Sequence, residues 1–185
     1  MGNPREMGAL RSHVDALRNI CTVSKTGTAR LPTRDELSAW RSFLRAHARI
    51  TRRLEAELIA EQRLSLAAYD VLVQLAEAPE KRMRMTELAE AVLLSRSGVT
   101  RLVDRLERNG LVCRERADED GRGVVAVLTR RGLDRLRTAS NTHLSGIVRH
   151  FASAVGDEEL DLLSRTCARL ANGDIPDAPS RRADP

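Results

Sequence analysis

Val99, Leu102, Val103 and Leu106 recur at i, i+3, i+4 and i+7, a spacing that gathers side chains on one face of a helix and scatters them on a strand. The stripe predicts a helix that buries these four residues and turns Arg96, Ser97, Thr100, Arg101 and Arg105 outward. Ser95 is its expected N-cap, and Gly110 is the glycine expected just past its end. A shorter helix is predicted ahead of it, from a Thr86 cap through Leu88, Ala89 and Val92, with a turn at Leu93 and Leu94 between the two. Behind it lie two β-branched runs, residues 111–113 and 124–128, separated by a polar, glycine-containing segment at 117–123. That pattern predicts a hairpin. Residues 86–129 are thus expected to form helix, turn, helix and hairpin, and the rest of the chain must supply what this small unit lacks.

The flanks are helical by the same criterion. Thr33 precedes Arg34, Asp35 and Glu36, a capped start with acids in the first turn. The helix it opens carries Leu37, Trp40, Leu44, His47, Thr51, Leu54 and Leu58 at alternating steps of three and four, a narrow seam that calls for another helix against it. Ser65 is expected to cap a second helix bearing Leu66, Tyr69, Leu72, Val73 and Ala76, which Pro79 stops after Ala78. Thr129 caps a helix with Leu133, Leu136, Leu144, Ile147, Val148 and Phe151. Asp157 caps the last, with Leu160, Leu163, Cys167 and Leu170 on one side. The predicted class is mainly α with a small β-hairpin wing (α+β). Residues 1–32 are expected to form an N-terminal extension, with a candidate short helix on Leu10, Val14 and Leu17, residues 33–172 the domain, and residues 173–185 a disordered tail whose prolines stop any helix.

Composition narrows the function classes. With 42% hydrophobic residues but only 2% aromatic, the core must be aliphatic, and 185 residues suit one domain. A net charge of +5 suits a polyanionic partner. Its placement says more than its size: Arg96, Arg101, Arg105, Arg108, Arg114, Arg116 and Arg122 all fall in the second helix and hairpin. No run approaches the ~18 apolar residues of a membrane span, and the N-terminus lacks a signal peptide's apolar core, so a cytoplasmic protein with no membrane association is expected. Cys21, Cys113 and Cys167, odd in number and without paired spacing, argue against a disulfide framework or zinc site. His13, His47, His143 and His150 stand in no metal-ligand spacing, and the Gly121-Arg122-Gly123 run lies in a hairpin rather than between strand and helix. No enzyme, metal or cofactor is expected.

A short helix followed by one with a polar N-terminal face is the arrangement that carries side chains into a DNA major groove. The run from Ser95 to Val112, together with Asp120-Gly121-Arg122-Gly123 and the Leu128-Thr129 pair five residues later, resembles the winged helix-turn-helix of the MarR family of transcription regulators, and the resemblance extends over about residues 37–170. It implies a homodimer whose first and last helices interlock, placing two reading helices about one DNA turn apart on a palindromic operator in double-stranded DNA. It implies repression. On this reading Ser95, Arg96, Ser97, Thr100 and Arg101 face bases and phosphates, Arg105 and Arg116 hold backbone, and Arg122 enters the minor groove, oriented by Asp120. Asp118, Glu119 and Asp120 make the wing tip more acidic than such a contact favours.

Two further constellations follow from the resemblance. Family members bind an aromatic anion between the dimerisation helices and the winged-helix lobe, and Trp40, His47, Tyr69 and Asp70 are the candidates for a small aromatic anion effector here, the alternative being plain core packing. Some relatives sense peroxide through a thiol, which singles out Cys113, beside Arg114 and Arg116, whose charge would lower its pKa. A thiol-based redox-sensing repressor and a winged-helix protein-interaction module are accordingly the alternatives to a ligand-released repressor.

Overall fold

The computed structural model describes residues 31–92, 94–116 and 123–173. The chain divides into two compact units, residues 1–42 and 43–185. In the first, Thr33 and Glu36 cap each other: the Glu36 N–H donates to Thr33 Oγ1 (3.2 Å) and the Thr33 N–H to Glu36 Oε2 (2.7 Å), opening helix α1 (Arg34–Gln62) as expected. Cys21 and the short helix expected on Leu10, Val14 and Leu17 lie outside the described residues.

From Phe43 on, α1 belongs to the second unit, followed by α2 (Leu66–Glu77), β1 (Arg82–Arg84), α3 (Met85–Ala91), α4 (Arg96–Arg108), β2 (Val112–Arg116), β3 (Val124–Leu128), α5 (Arg130–His150) and α6 (Asp157–Asn172). Ser65, Ser95 and Thr129 cap α2, α4 and α5 as predicted, each side-chain oxygen accepting the N–H three residues on. Gly110 takes φ 68°, the left-handed conformation that ends α4. The core is aliphatic and centred on α2, α3 and α4: Leu58, Val71, Leu72, Leu75, Leu88, Val99, Val103 and Val112 are its largest fully buried side chains.

Three features differ from the sequence expectation. The hairpin is a three-stranded antiparallel sheet in the order β1-β3-β2, with Arg82 opposite Val127 and Val112 opposite Leu128. A three-residue strand of sequence Arg-Met-Arg has too few residues to display a period. Helix α3 starts at Met85, not after a Thr86 cap, because the Glu87 carboxylate accepts the Arg84 N–H (3.2 Å) and no hydroxyl at the cap is needed. In the same way Glu159 accepts the Gly156 N–H (2.9 Å), so Gly156 precedes α6 and Asp157 is its first residue.

The buried face of α5 also departs from its large apolar residues. Gly132, Leu136, Ala139, Thr142 and Gly146 are buried, while Leu144 and Val148 are each 57% exposed. Small residues let α1 and α5 approach closely: a Cβ on Gly146 would lie 2.7 Å from Leu54 Cδ2 and 2.8 Å from Glu57 Oε2. Glu57 in turn takes a 2.7 Å contact from His150 Nε2 and a 3.0 Å hydrogen bond from Arg149. Of the seam predicted on α1, Leu54 and Leu58 are buried, whereas Trp40 and Leu44 are exposed. Helix α6 buries no residue.

Candidate nucleic-acid interface

Helix α4 carries the outward face the sequence predicts. Val99, Leu102, Val103 and Leu106 are all at most 4% exposed, which fixes the helix rotation and leaves Arg96, Ser97, Thr100, Arg101 and Arg105 in solvent. Ser95 accepts the Gly98 N–H (3.1 Å) and sits 3.3 Å from the Ser97 hydroxyl, so these two hydroxyls stand together at the helix start. The Thr100 hydroxyl donates back to the Arg96 carbonyl (2.9 Å), which leaves its oxygen as an acceptor toward solvent. Arg96, Arg101 and Arg105 have no ion-pair partner among the described residues, so their charge is available to a ligand.

Arg114, one of the seven arginines of the second helix and hairpin, is different. Its Nη1 lies 2.6 Å from Asp104 Oδ1 and 2.8 Å from Glu107 Oε2, its Nη2 donates to the Thr100 carbonyl (3.1 Å), and its backbone N–H donates to Glu107 Oε1 (2.9 Å). A guanidinium from β2 thereby ties the sheet to α4 and neutralises the two carboxylates of that helix. The outward face of α4 keeps a positive potential as a result. The signal available in sequence was the acid pair itself, three apart on α4, where any DNA-facing helix needs such charges compensated.

Arg116 ends β2 opposite Val124 and is exposed, adjacent to the wing segment. Asp120 and Arg122 lie outside the described residues. At the base of the sheet, the Thr129 hydroxyl donates to the Gly110 carbonyl (2.8 Å) and accepts the Gly132 N–H (2.9 Å), fastening the end of α4 to the start of α5.

Cys113 is half-buried on β2, and its thiol pKa is pushed up, first by burial and then by the carboxylates of Glu115 and Glu107. This is opposite in direction to the lowering expected from Arg114 and Arg116. Arg114 is committed to Asp104 and Glu107, and the Glu107 carboxylate also acts on the thiol.

The ligand candidates are distributed differently from the sequence grouping. His47 and Asp70 line one cavity of about 520 Å³ with Arg52 and Glu55, and Phe43 stacks on His47 at a ring separation of 6.4 Å. Tyr69 is buried and does not line this cavity, its hydroxyl 3.3 Å from Ser140 and its ring 4.5 Å from that of His143. Burial lowers the His143 pKa, with Asp70 opposing; burial raises that of Asp70, with His143 opposing and Glu55 adding to the rise. Trp40 belongs to the first unit and is 57% exposed. Among the described residues no group of three metal-ligating side chains occurs, and no helix is long and apolar enough to cross a membrane.

Comparison with known proteins matches residues 64–123 to the profile of the MarR family. YetL of Bacillus subtilis, named an HTH-type transcriptional repressor, is 35% identical over 111 residues, taking in 58% of this chain and 64% of that one. The chain spans between half and two thirds of the length of the curated relatives it matches. Two solved structures from Streptomyces coelicolor are similar over nearly their whole length. AbsC, a MarR family transcriptional regulator, shares 34% identity at a TM-score of 0.72, over 78% of this chain and 97% of that one. Sco3205, a MarR family transcriptional regulator solved in complex with DNA, shares 32% identity at a TM-score of 0.74, over 85% and 97%.

Proposed function

The chain belongs to the MarR family of transcriptional regulators, and on that premise we propose that it is a homodimeric, sequence-specific DNA-binding repressor of the cytoplasm, released by a small aromatic anion. The family consists of regulators rather than enzymes. The observation that carries the reading is α4: its apolar side is wholly consumed by the core, so the serine, threonine and unpaired arginine face has no structural duty and suits a polyanion. Repression is supported by the name of YetL, and DNA as the partner by the complex of Sco3205.

The dimer is supported by apolar surface that the single chain leaves open. In the first unit Leu31 and Trp40 are about half exposed; in the second, so are Phe43, Leu144, Val148, Leu162 and Leu170. Specific pairs typically bury ~1,600 Å², and apolar residues of this kind are what such an interface covers. Two α4 helices related by a two-fold axis require an inverted repeat with centres ~34 Å apart. For the effector, the cavity lined by His47, Arg52, Glu55 and Asp70 offers the Arg52 cation and apolar walls at Ala48, Leu66 and Ala67, with two carboxylates also facing it.

Selection of bound sequences from random DNA by the purified protein tests the reading. The expected result is an inverted repeat with half-sites one turn apart. Enrichment of no sequence at moderate salt would assign α4 to a protein partner instead.

A further inference from the structure

A second cavity, of about 750 Å³, opens where the α1–α2 turn, the C-terminal end of α4 and the first turns of α5 meet. Arg63, Arg105, Arg131 and Arg135 line it, against one carboxylate, Asp134. That carboxylate is already held by Arg130 (3.4 Å) and Arg137 (3.1 Å), neither of which lines the cavity. Arg63, Arg105 and Arg131 have no ion-pair partner among the described residues, and Arg135 spends one Nη1 bond on Gln62 Oε1 (3.0 Å). Like charges are gathered here without compensation, which destabilises the empty site and favours an anion. The wall behind the arginines is apolar: Leu64, Ala68, Leu106 and Leu111 are each at most 7% exposed. Arg63 is also held at φ 47°, a left-handed conformation costly for a residue with a long side chain.

We propose that this cavity binds a small organic phosphate, its phosphate gripped by Arg63, Arg105 and Arg131 and its apolar body lying against Leu64, Ala68 and Leu106. A guanidinium fork matches two phosphate oxygens at once, and a phosphate monoester carries between one and two negative charges near neutral pH. Several such forks around a partly apolar hollow suit that chemistry better than a lone halide or a neutral ligand. The site is separate from the cavity at His47 and Asp70. It also joins three elements, including the recognition helix through Arg105, so occupancy ties the end of α4 to α5. Phosphate is the chemistry of the DNA backbone as well, and the test must separate the two sources.

Calorimetric titration of the full chain, without DNA, with phenyl phosphate and with inorganic phosphate provides it. Saturable binding of phenyl phosphate at one site per chain is expected, weaker for inorganic phosphate, which lacks the apolar body. The double variant Arg63→Asn, Arg131→Gln should lose at least about ten-fold in affinity, since each replaced group ends a charge-assisted contact. Asn tolerates the left-handed backbone at position 63 and both positions are exposed, so the variant should fold; the single variant Arg131→Gln, at an exposed helix position, gives the same comparison if it does not. Random-sequence duplex, titrated in parallel, identifies the phosphate source: a small-molecule site leaves duplex affinity unchanged in the variant. No saturable heat from wild type at millimolar phenyl phosphate, or equal affinity in the variant, overturns the proposal. Loss of duplex affinity in a variant whose parent ignores phenyl phosphate would give these arginines to the DNA backbone and equally overturn it.

Discussion

Replacing Arg114 by Met keeps the aliphatic stem of a side chain that is 23% exposed and removes the guanidinium that joins β2 to α4. Three side-chain contacts go: those to Asp104, Glu107 and the Thr100 carbonyl. Asp104 and Glu107 are 48% and 39% exposed, so solvent screens both pairs, and each is worth at most ~1 kcal/mol; the carbonyl bond adds ~1 kcal/mol. The expected loss is therefore about 2 kcal/mol, or a fall in Tm of about 4–8 °C for a chain of this size. DNA affinity should fall as well, because two carboxylates on the reading helix lose their counter-charge. The Glu107→Gln substitution should then be less harmful in the Arg114→Met background than in wild type, a coupling of about 1 kcal/mol in a double-mutant cycle. Thermal melts and operator titrations of the four proteins read both effects. An unchanged Tm with reduced DNA affinity and no coupling to Glu107 would show that Arg114 reaches DNA itself, and the strut described here would be wrong.

Three further outcomes follow from other contacts. Gly132→Ala drives a Cβ into the Leu111 carbonyl oxygen and to 2.8 Å from Leu128 Cδ1; backbone cannot yield as a side-chain tip can, so denaturant melts should show a loss of about 3 kcal/mol, and a near-neutral result would mean α5 starts elsewhere. His143, facing Tyr69 and Asp70 on α2, has a folded pKa lowered chiefly by burial, so the unfolded chain takes up this proton first and stability declines as pH falls below the unfolded value of ~6.5. Asp70 has the opposite sign in a lower range, gaining stability as pH drops toward its unfolded value, so melts at neutral pH and just below 6 isolate the histidine; His143→Gln should flatten that decline, and an equally acid-sensitive variant would refute it. Arg101→Ala should cost roughly 1–3 kcal/mol on the best operator and relax one position per half-site, whereas Arg122→Ala should weaken many sequences alike and flatten the salt dependence. An unaltered specificity profile for Arg101→Ala would put another residue against the bases.

Local rules explain which parts of this fold were legible in sequence. The α4 stripe, the caps at Ser65, Ser95 and Thr129 and the turn glycine at 110 each depend on residues within one turn of one another, and each stands where the spacing puts it. Strand β1 was invisible because its pairing with β3 is a long-range fact about Val125 and Val127, not a property of Arg82, Met83 and Arg84. The caps at Arg84 and Gly156 were misplaced for a related reason: a glutamate three residues inside the helix satisfies the orphan N–H, so the residue at the cap carries no mark.

Charge was the least legible property, and the reason bears on function. Seven arginines in the second helix and wing look alike in sequence, yet Arg114 faces inward to two acids, Arg105 lines the arginine cavity beneath α5, and Arg96 and Arg101 remain on the open face. Which of these an arginine does is decided by the register of β2 against α4 and by where α5 begins. The close approach of Gly132 to the Leu111 carbonyl, and the Thr129 hydroxyl between Gly110 and Gly132, fix that second quantity. A change at the α4–α5 junction therefore moves Arg105 and Arg131 relative to one another, and reshapes the arginine cavity they line. The junction is thus the place where a bound anion and a substitution such as Gly132→Ala would act on the same geometry.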